Sequence, residues 1–453
     1  MIRSGKLVFL FTFFALLVQS LFFFADKPDE FLAIPLTLIL GGAAAYFIGK
    51  DANLEDAEFQ VNIFLLAFSI RIWAGLALYG WGLSGVFGDE DASEYISGWR
   101  VAENWYRNGF DGFISDLSRV IFEKTNIGQS VIWGIPMFIA GGPSRMIVSV
   151  INSFAGSLLV IVIYRMSRRI FGSQTARISA ILAAFWASFL LLSAGTLKEM
   201  LVILFEWTVL YLAVRNPKGL SVSDGLLAIP ALLALYVTRF YALYIVAAAF
   251  LFRIIITGRR NLIRNAVLGV IVVGSVMIVL NAGGVINRDF ERLERQNEVI
   301  DSWRTDVAES TGSGTGIYAE FEGSSVAIPV ATLYFLFAPF PWEFFSGTPR
   351  NSFAVVENLA IIIILIIGFP ALKIFFKDKL FEIAPILVFC VLYAGMHIWG
   401  LANIGLAWRH KQTIMPMFFM LVALGITHRK QGLQIIGQKL TRKQNSLRVY
   451  KTT

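Results

Sequence analysis

Apolar and polar positions along this chain fall in long blocks rather than in the short alternations of a half-buried strand or a surface helix. A helix needs about 20 mainly apolar residues to cross a bilayer. That rule predicts about twelve spans, near 7–25, 31–49, 60–81, 145–164, 178–195, 199–214, 225–238, 240–257, 265–282, 353–372, 381–400 and 413–428. The pattern therefore predicts an all-α polytopic membrane protein. Residues 225–258 would also read as one long bent span, but Arg239 near the middle and the flanking charges favour two crossings joined by a tight turn. The first block, behind Arg3 and Lys6, resembles a signal peptide. It lacks a small-residue cleavage site and another apolar block follows at once, so a retained first helix is expected.

Composition supports the reading. Of 453 residues 57% are hydrophobic and only 15% charged, with a mean hydropathy of +0.68, whereas soluble domains carry about 25% charged residues. Aromatics reach 14%, which suits helices ending in an interfacial belt. The net charge of +8 would suggest nucleic acid if it were clustered on a soluble face, but the cations sit between apolar blocks and act as topology determinants. No nucleic-acid partner is expected. With the N-terminus inside, the inner loops carry Arg165, Arg168, Arg169, Arg177, Arg215, Lys218, Arg253, Arg259, Arg260, Arg264, Lys373, Lys377 and Lys379. The outer turns hold far fewer, namely Lys27, Lys198, Arg239, Arg409 and Lys411. This asymmetry sets the parity. The unit is then one transmembrane domain, 1–428, with outer loops at 82–144 and 283–352 and a basic cytoplasmic tail at 429–453. Amphipathic helices along the outer surface are expected in those loops, for instance over residues 94–106, where Tyr95, Trp99, Ala102 and Tyr106 share one face. Residues 287–316 are polar, then rich in Ser, Thr and Gly, and read as a loop. The single cysteine, Cys390, excludes an internal disulfide and any Cys-based cluster. Walker-type, dinucleotide-binding and His-rich metal motifs are missing from the sequence.

The unusual polar groups concentrate on the outer side. Asp89, Glu90 and Asp91, with Glu94, open the first large loop; they could supply a general base, hold a divalent cation, or be a solvated acidic turn. Lys198 and Glu199 are wedged between two spans, where charge is costly and usually functional, although the pair could neutralise itself. Arg239 is a lone cation at another tight turn, suited to phosphate or to snorkelling. Arg71 lies near the middle of the third span without an acid on its own turn, so it must pair with another helix or face a wet cavity. The run Trp408-Arg409-His410-Lys411 reads as an anion site or an interfacial anchor. Pro339 and Pro341 around Phe340, followed by Trp342 and Glu343, predict a rigid aromatic turn lining a groove.

In this order, Arg71, the Gly88-Asp89-Glu90 turn followed by Tyr95 and Ala102, Lys198-Glu199 and Arg239, the chain resembles the GT-C glycosyltransferases of bacterial membranes. The likeness is to the group around protein mannosyltransferases and aminoarabinose transferases, and the Pro-Phe-Pro-Trp turn and Arg409-His410-Lys411 resemble members from polysaccharide clusters. The resemblance implies a GT-C-like fold in the bacterial inner membrane, both termini cytoplasmic and the active site outside. It implies a polyprenyl-phosphate sugar donor and a glycan, lipid or protein acceptor. Asp89 would be the base, with Glu90 its nearest substitute, and Asp91, Tyr95, Trp342 and Arg71 would support the site. A cofactor beyond a divalent cation at Asp89–Asp91 is not implied. The physical logic is independent of the likeness: a lipid-phosphate sugar is already activated, so the enzyme needs a base and an anion clamp. Lys198, Glu199, Arg239, Arg409, His410 and Lys411 are the residues expected to bind the lipid phosphate. A polymerase or ligase joining lipid-linked glycans, and a transporter or flippase of lipid-linked or anionic solutes, are the competing readings.

Overall fold

The computed structural model describes residues 32–50, 54–84, 94–120, 128–216, 221–256, 327–345, 349–399 and 404–429, with a few isolated positions besides. Asp89, Glu90 and Asp91, the 265–282 span, the 287–316 segment and the tail beyond residue 429 lie outside the described residues, as does nearly all of the first span. Among the described residues every regular element is helical. Among these residues five helices are long and apolar enough to cross a membrane, or six if a bent pair is one span, consistent with a helical membrane protein.

In chain order the helices are α1 Ala33–Lys50, α2 Leu54–Gly80, α3 Glu94–Ser118, α4 Gly128–Ala140, α5 Arg145–Phe171, α6 Ser173–Phe185, α7 Ala187–Ala194 and α8 Glu199–Arg215. They continue with α9 Val222–Thr238, α10 Phe240–Ile256, α11 Ala327–Phe337, α12 Pro349–Gly368, α13 Leu380–Trp399 and α14 Ile404–Lys411, then α15 Met415–Arg429. Helices occupy most of the expected segments that are described, but among the described residues only five or six of the about twelve expected spans have the length and apolarity of a membrane crossing. The ambiguous 225–258 region is two helices broken at Arg239. The expected 178–195 span is a pair, α6 and α7, bent by 53° at Trp186.

Helix α5 is the centre of the bundle. It packs against α2, α6, α7 and α8, and nineteen of its 27 residues are buried. Small residues allow the close approaches, as is usual where lipid supplies no hydrophobic drive between helices. A Cβ on Gly75 of α2 would collide with the Ser149 side chain of α5, and one on Gly156 of α5 with the Ser193 hydroxyl of α7.

One end of the bundle is arginine-rich. There Arg168 pairs with Asp56, and the Tyr164 hydroxyl donates to Asp56 at 2.9 Å. Arg165 donates to Gln60 at 2.8 Å, Arg215 meets Asp224 at 3.2 Å, and Arg253 donates to the Phe381 carbonyl at 3.2 Å. These are the loops on which the positive-inside pattern placed its cations.

Above the opposite end lies the first elaborated loop. Helices α3 and α4 form a hairpin packed on itself, with Gly98 against Trp133 and Gly134. Gly109, at φ 59°, kinks α3 in a conformation a side chain would resist. Of the expected stripe on α3, Ala102 is buried and Tyr95 and Trp99 are partly buried against the core, while Tyr106, at its end, is 51% exposed; Gly98 and Trp105 join the buried face, Gly98 lying against Trp133 and Gly134 of α4. The hairpin is pinned to the bundle at two places. Gly128 lies against Val237, two residues before Arg239, and the Arg145 guanidinium sits over the rings of Tyr79 and Tyr95 at 5.8 and 5.0 Å.

Candidate functional site

The turn from α7 to α8 is held from below by Asn152, whose amide donates to the carbonyls of Gly195 and Leu197 at 2.9 and 2.8 Å. That anchor fixes Lys198 and Glu199 at the hairpin-covered end. Arg239, only 5% exposed at the α9–α10 break, donates to Glu199 Oε1 at 3.2 Å and to the Tyr393 hydroxyl of α13 at 3.4 Å. Tyr393 Oη is 3.2 Å from Nδ1 of His410 on α14. The His397 ring stacks on Tyr393 with centroids 4.2 Å apart and lies 3.9 Å from the His410 ring. Its Nδ1 is 2.9 Å from the Tyr393 carbonyl, an acceptor only, so Nδ1 carries a proton and Nε2, 3.5 Å from the Tyr241 hydroxyl, is left to accept from that phenol.

Lys198 stands in the combined field of Arg239, Glu94 and Glu199. Burial, and then Arg239, lower its pKa, while the two carboxylates oppose the shift. Glu94 is the first residue of α3 and directly follows the segment containing Asp89 to Asp91.

The structure separates residues that the sequence grouped. Lys198, Glu199, Arg239 and His410 share one cluster. Lys411, one residue after His410, is instead 1% exposed; its ammonium donates to Asn358 and, at 3.2 Å, to the Ala338 carbonyl. Trp408 also turns away, its indole donating to Glu357 at 3.2 Å. The reason is helical geometry: successive residues of α14 are about 100° apart around the axis, so the 408–411 run cannot present one face. Arg409 is partly buried on the same helix. Trp342 is 74% exposed and stacks on Phe340 at 4.7 Å; none of its described contacts reaches the charged cluster.

Arg71 has a structural explanation. It is fully buried and donates to the carbonyls of Ala183 and Ala184, at 3.2 and 3.1 Å, in the last turn of α6. It also reaches Ser193 Oγ at 3.1 Å and the Ala67 carbonyl at 3.1 Å. Across the same break, Glu357 accepts from the backbone and hydroxyl of Ser188 in the first turn of α7. A cation thus faces the negative end of one half-helix and an anion the positive end of the other. The break at Trp186 is stabilised electrostatically from both sides.

Two acidic groups were not singled out by sequence reasoning, Glu357 and Glu206. Glu206 of α8 is fully buried, and neither carboxyl oxygen has a hydrogen-bond partner among the described residues. Arg239 is the cation whose field reaches it. The signal was present in each case, since a carboxylate within an apolar run marks a deep polar site. His397 and Tyr393 were missed because a histidine and a tyrosine near a span end look like belt residues. Among the described residues no three His, Cys, Asp or Glu side chains form a group able to hold a metal ion; the cation expected at Asp89 to Asp91 falls on residues outside that set. No protein family, curated protein or solved structure matches this chain.

Proposed function

We propose that this protein transfers a sugar from a polyprenyl-phosphate donor to an acceptor hydroxyl at the hairpin-covered end of the bundle, on the extracytoplasmic side. The observation that carries the reading is the pairing of Arg239 with Glu199 at 3.2 Å, which brings two cations from distant stretches of chain, Arg239 and the neighbouring Lys198, to one turn. In the reaction a carboxylate of the acidic loop, Asp89 or its neighbour Glu90, takes the acceptor's proton. The acceptor oxygen bonds to the anomeric carbon, the bond from that carbon to the lipid phosphate oxygen breaks, and the phosphate leaves with the electron pair. A positioned base contributes roughly 10²- to 10⁴-fold. The phosphate's charge is met by Lys198 and Arg239, and such charge-assisted bonds are stronger in a water-poor site. The partly lowered affinity of Lys198 for its proton suits a group that gains from an incoming anion. Glu199 and Tyr393 hold the Arg239 fork in place.

The test is transfer by the purified protein in lipid from a polyprenyl-phosphate monosaccharide. Turnover supports the reading; activity only with lipid-linked oligosaccharides would make the protein a polymerase or ligase instead. A second reading, solute translocation, is favoured by one observation: the broken α6–α7 span with Arg71, Glu357 and Lys411 buried around it. Counterflow of an anionic or lipid-linked solute in proteoliposomes, with no transfer product, would select it.

A further inference from the structure

The Arg239 guanidinium is gripped by two aromatic residues besides Glu199: it donates to Tyr393 Oη at 3.4 Å and lies over the Tyr241 ring at 5.8 Å. Behind those residues stand two imidazoles, His397 and His410, with centroids 3.9 Å apart. Ring packing alone would not depend on which nitrogen carries a proton. The hydrogen bonds do.

Their directions follow from the protons available. A guanidinium only donates, so Tyr393 Oη accepts from Arg239. The same oxygen lies 3.2 Å from His410 Nδ1, and the Thr413 hydroxyl is within hydrogen-bond reach of it. If Nδ1 carried a proton, two N–H donors, one of them a guanidinium, would converge on the phenol oxygen while the phenol's own proton pointed elsewhere. With Nδ1 bare, each bond has one donor and one acceptor. Burial, followed by the fields of His397, Arg239 and Arg409, holds His410 well below the usual imidazole pKa. The ring is therefore neutral at neutral pH, and one of its nitrogens is an acceptor.

His397 has the opposite tautomer. Its Nδ1 donates to the Tyr393 carbonyl at 2.9 Å, and its Nε2 faces the Tyr241 hydroxyl at 3.5 Å. Its ring also stacks on that of Tyr393 at 4.2 Å. One histidine thus touches both aromatic residues that Arg239 touches, and the bond made by one ring nitrogen fixes the state of the other.

We propose that neutral His410, protonated on Nε2, is a positioning residue for Arg239: its bare Nδ1 takes the proton of the Tyr393 phenol and leaves that oxygen's lone pair to the guanidinium, while His397, protonated on Nδ1, fixes the Tyr393 and Tyr241 rings. Neither histidine touches substrate. The inference deepens the transferase reading and rests on it only for Arg239's contact with the lipid phosphate.

The chain contains only three histidines, His397, His410 and His428, so ¹⁵N-histidine spectra of the full protein in lipid nanodiscs resolve the two tautomers directly. His428 is exposed in α15 and serves as the internal reference. Expected are two neutral rings of opposite tautomer. Tyr393→Phe removes the phenol but keeps the backbone carbonyl, so it should release His410 into a mixture of tautomers and leave His397 protonated on Nδ1. An imidazolium or an Nδ1 proton on His410, or a His410 spectrum that Tyr393→Phe does not move, overturns the inference.

Binding of a short-chain polyprenyl phosphate reads the positioning. His410→Leu should weaken it by roughly 2- to 10-fold, the range of one hydrogen bond, while the protein stays folded and monodisperse. His410→Asn, whose amide oxygen can replace Nδ1, should recover most of that loss. In a Tyr393→Phe background His410→Leu should cost nothing further, because its effect runs through the phenol. A His410→Leu variant that binds like wild type, or whose loss persists in that background, also overturns the positioning role. Opposite tautomers without binding of the probe by wild type would leave the hydrogen-bond chain standing and remove the transferase reading. Sugar transfer with His410 protonated on Nδ1 would do the reverse.

Discussion

Replacing Arg71 by Met tests how the bent span is held. The guanidinium donates to the Ala183 and Ala184 carbonyls, which lie in the last turn of α6, where helical partners run out. The Ala67 carbonyl is one turn back along the arginine's own helix, and Ser193 Oγ keeps its bond to the Phe189 carbonyl at 2.5 Å, so those two lose less. Leaving two buried carbonyls without a donor costs about 1–3 kcal/mol each. Part of that is returned because a fully buried guanidinium no longer has to be desolvated, and part because chains unfolded in a membrane find alternative partners. The expected net loss is about 2–4 kcal/mol. Reversible unfolding in lipid, by steric trapping or denaturant titration, measures it. Arg71→Lys, with donors on one atom and no planar fork, should fall between wild type and Arg71→Met. A double-mutant cycle with Ser193→Ala should show coupling of about 0.5–3 kcal/mol. If Arg71→Met matched wild type within about 0.5 kcal/mol, the helix-end account of this residue would be wrong.

Glu357→Gln sets an amide donor against the Ser188 and Trp408 donors and should destabilise the start of α7 by about 1–3 kcal/mol, read in the same unfolding assay; no change would mean that the carboxylate is not the acceptor there. Glu206 has the opposite expectation. Because neither oxygen is partnered among the described residues, Glu206→Leu should raise stability by about 1–3 kcal/mol, and a loss of stability would reveal a partner for this group.

How much of this was legible in the sequence varied with the physics involved. Apolar blocks of membrane-crossing length were direct evidence of spans, and the break at Arg239 could be read because a charge between two apolar runs favours a turn. Lys198, Glu199 and Arg239 were singled out for the same reason, and the structure places them together. The bend at Trp186 was hidden, since no proline or glycine marks it, and it is stabilised by Arg71 and Glu357 from other helices. Long-range pairing of this kind leaves no local trace. Likewise the 408–411 run looked like one basic site on paper, while helix rotation and burial send His410 toward Tyr393 and Lys411 toward Asn358. The stripe expected on α3 placed Ala102, Tyr95 and Trp99 toward the core but missed Gly98, whose lack of a side chain lets α4 approach closely, and Trp105.

The claim at the centre of this account is that the acid of the first loop and the cations at residues 198 and 239 do different jobs in one pocket. Steady-state transfer with Asp89→Asn, Lys198→Ala and Arg239→Ala, alongside direct donor binding, separates those jobs. The account predicts that Asp89→Asn lowers kcat by about 10²-fold or more with donor affinity nearly unchanged, whereas the two cation variants weaken donor binding. Wild-type turnover in Asp89→Asn and Glu90→Gln, or donor affinity unmoved in both cation variants, would contradict it.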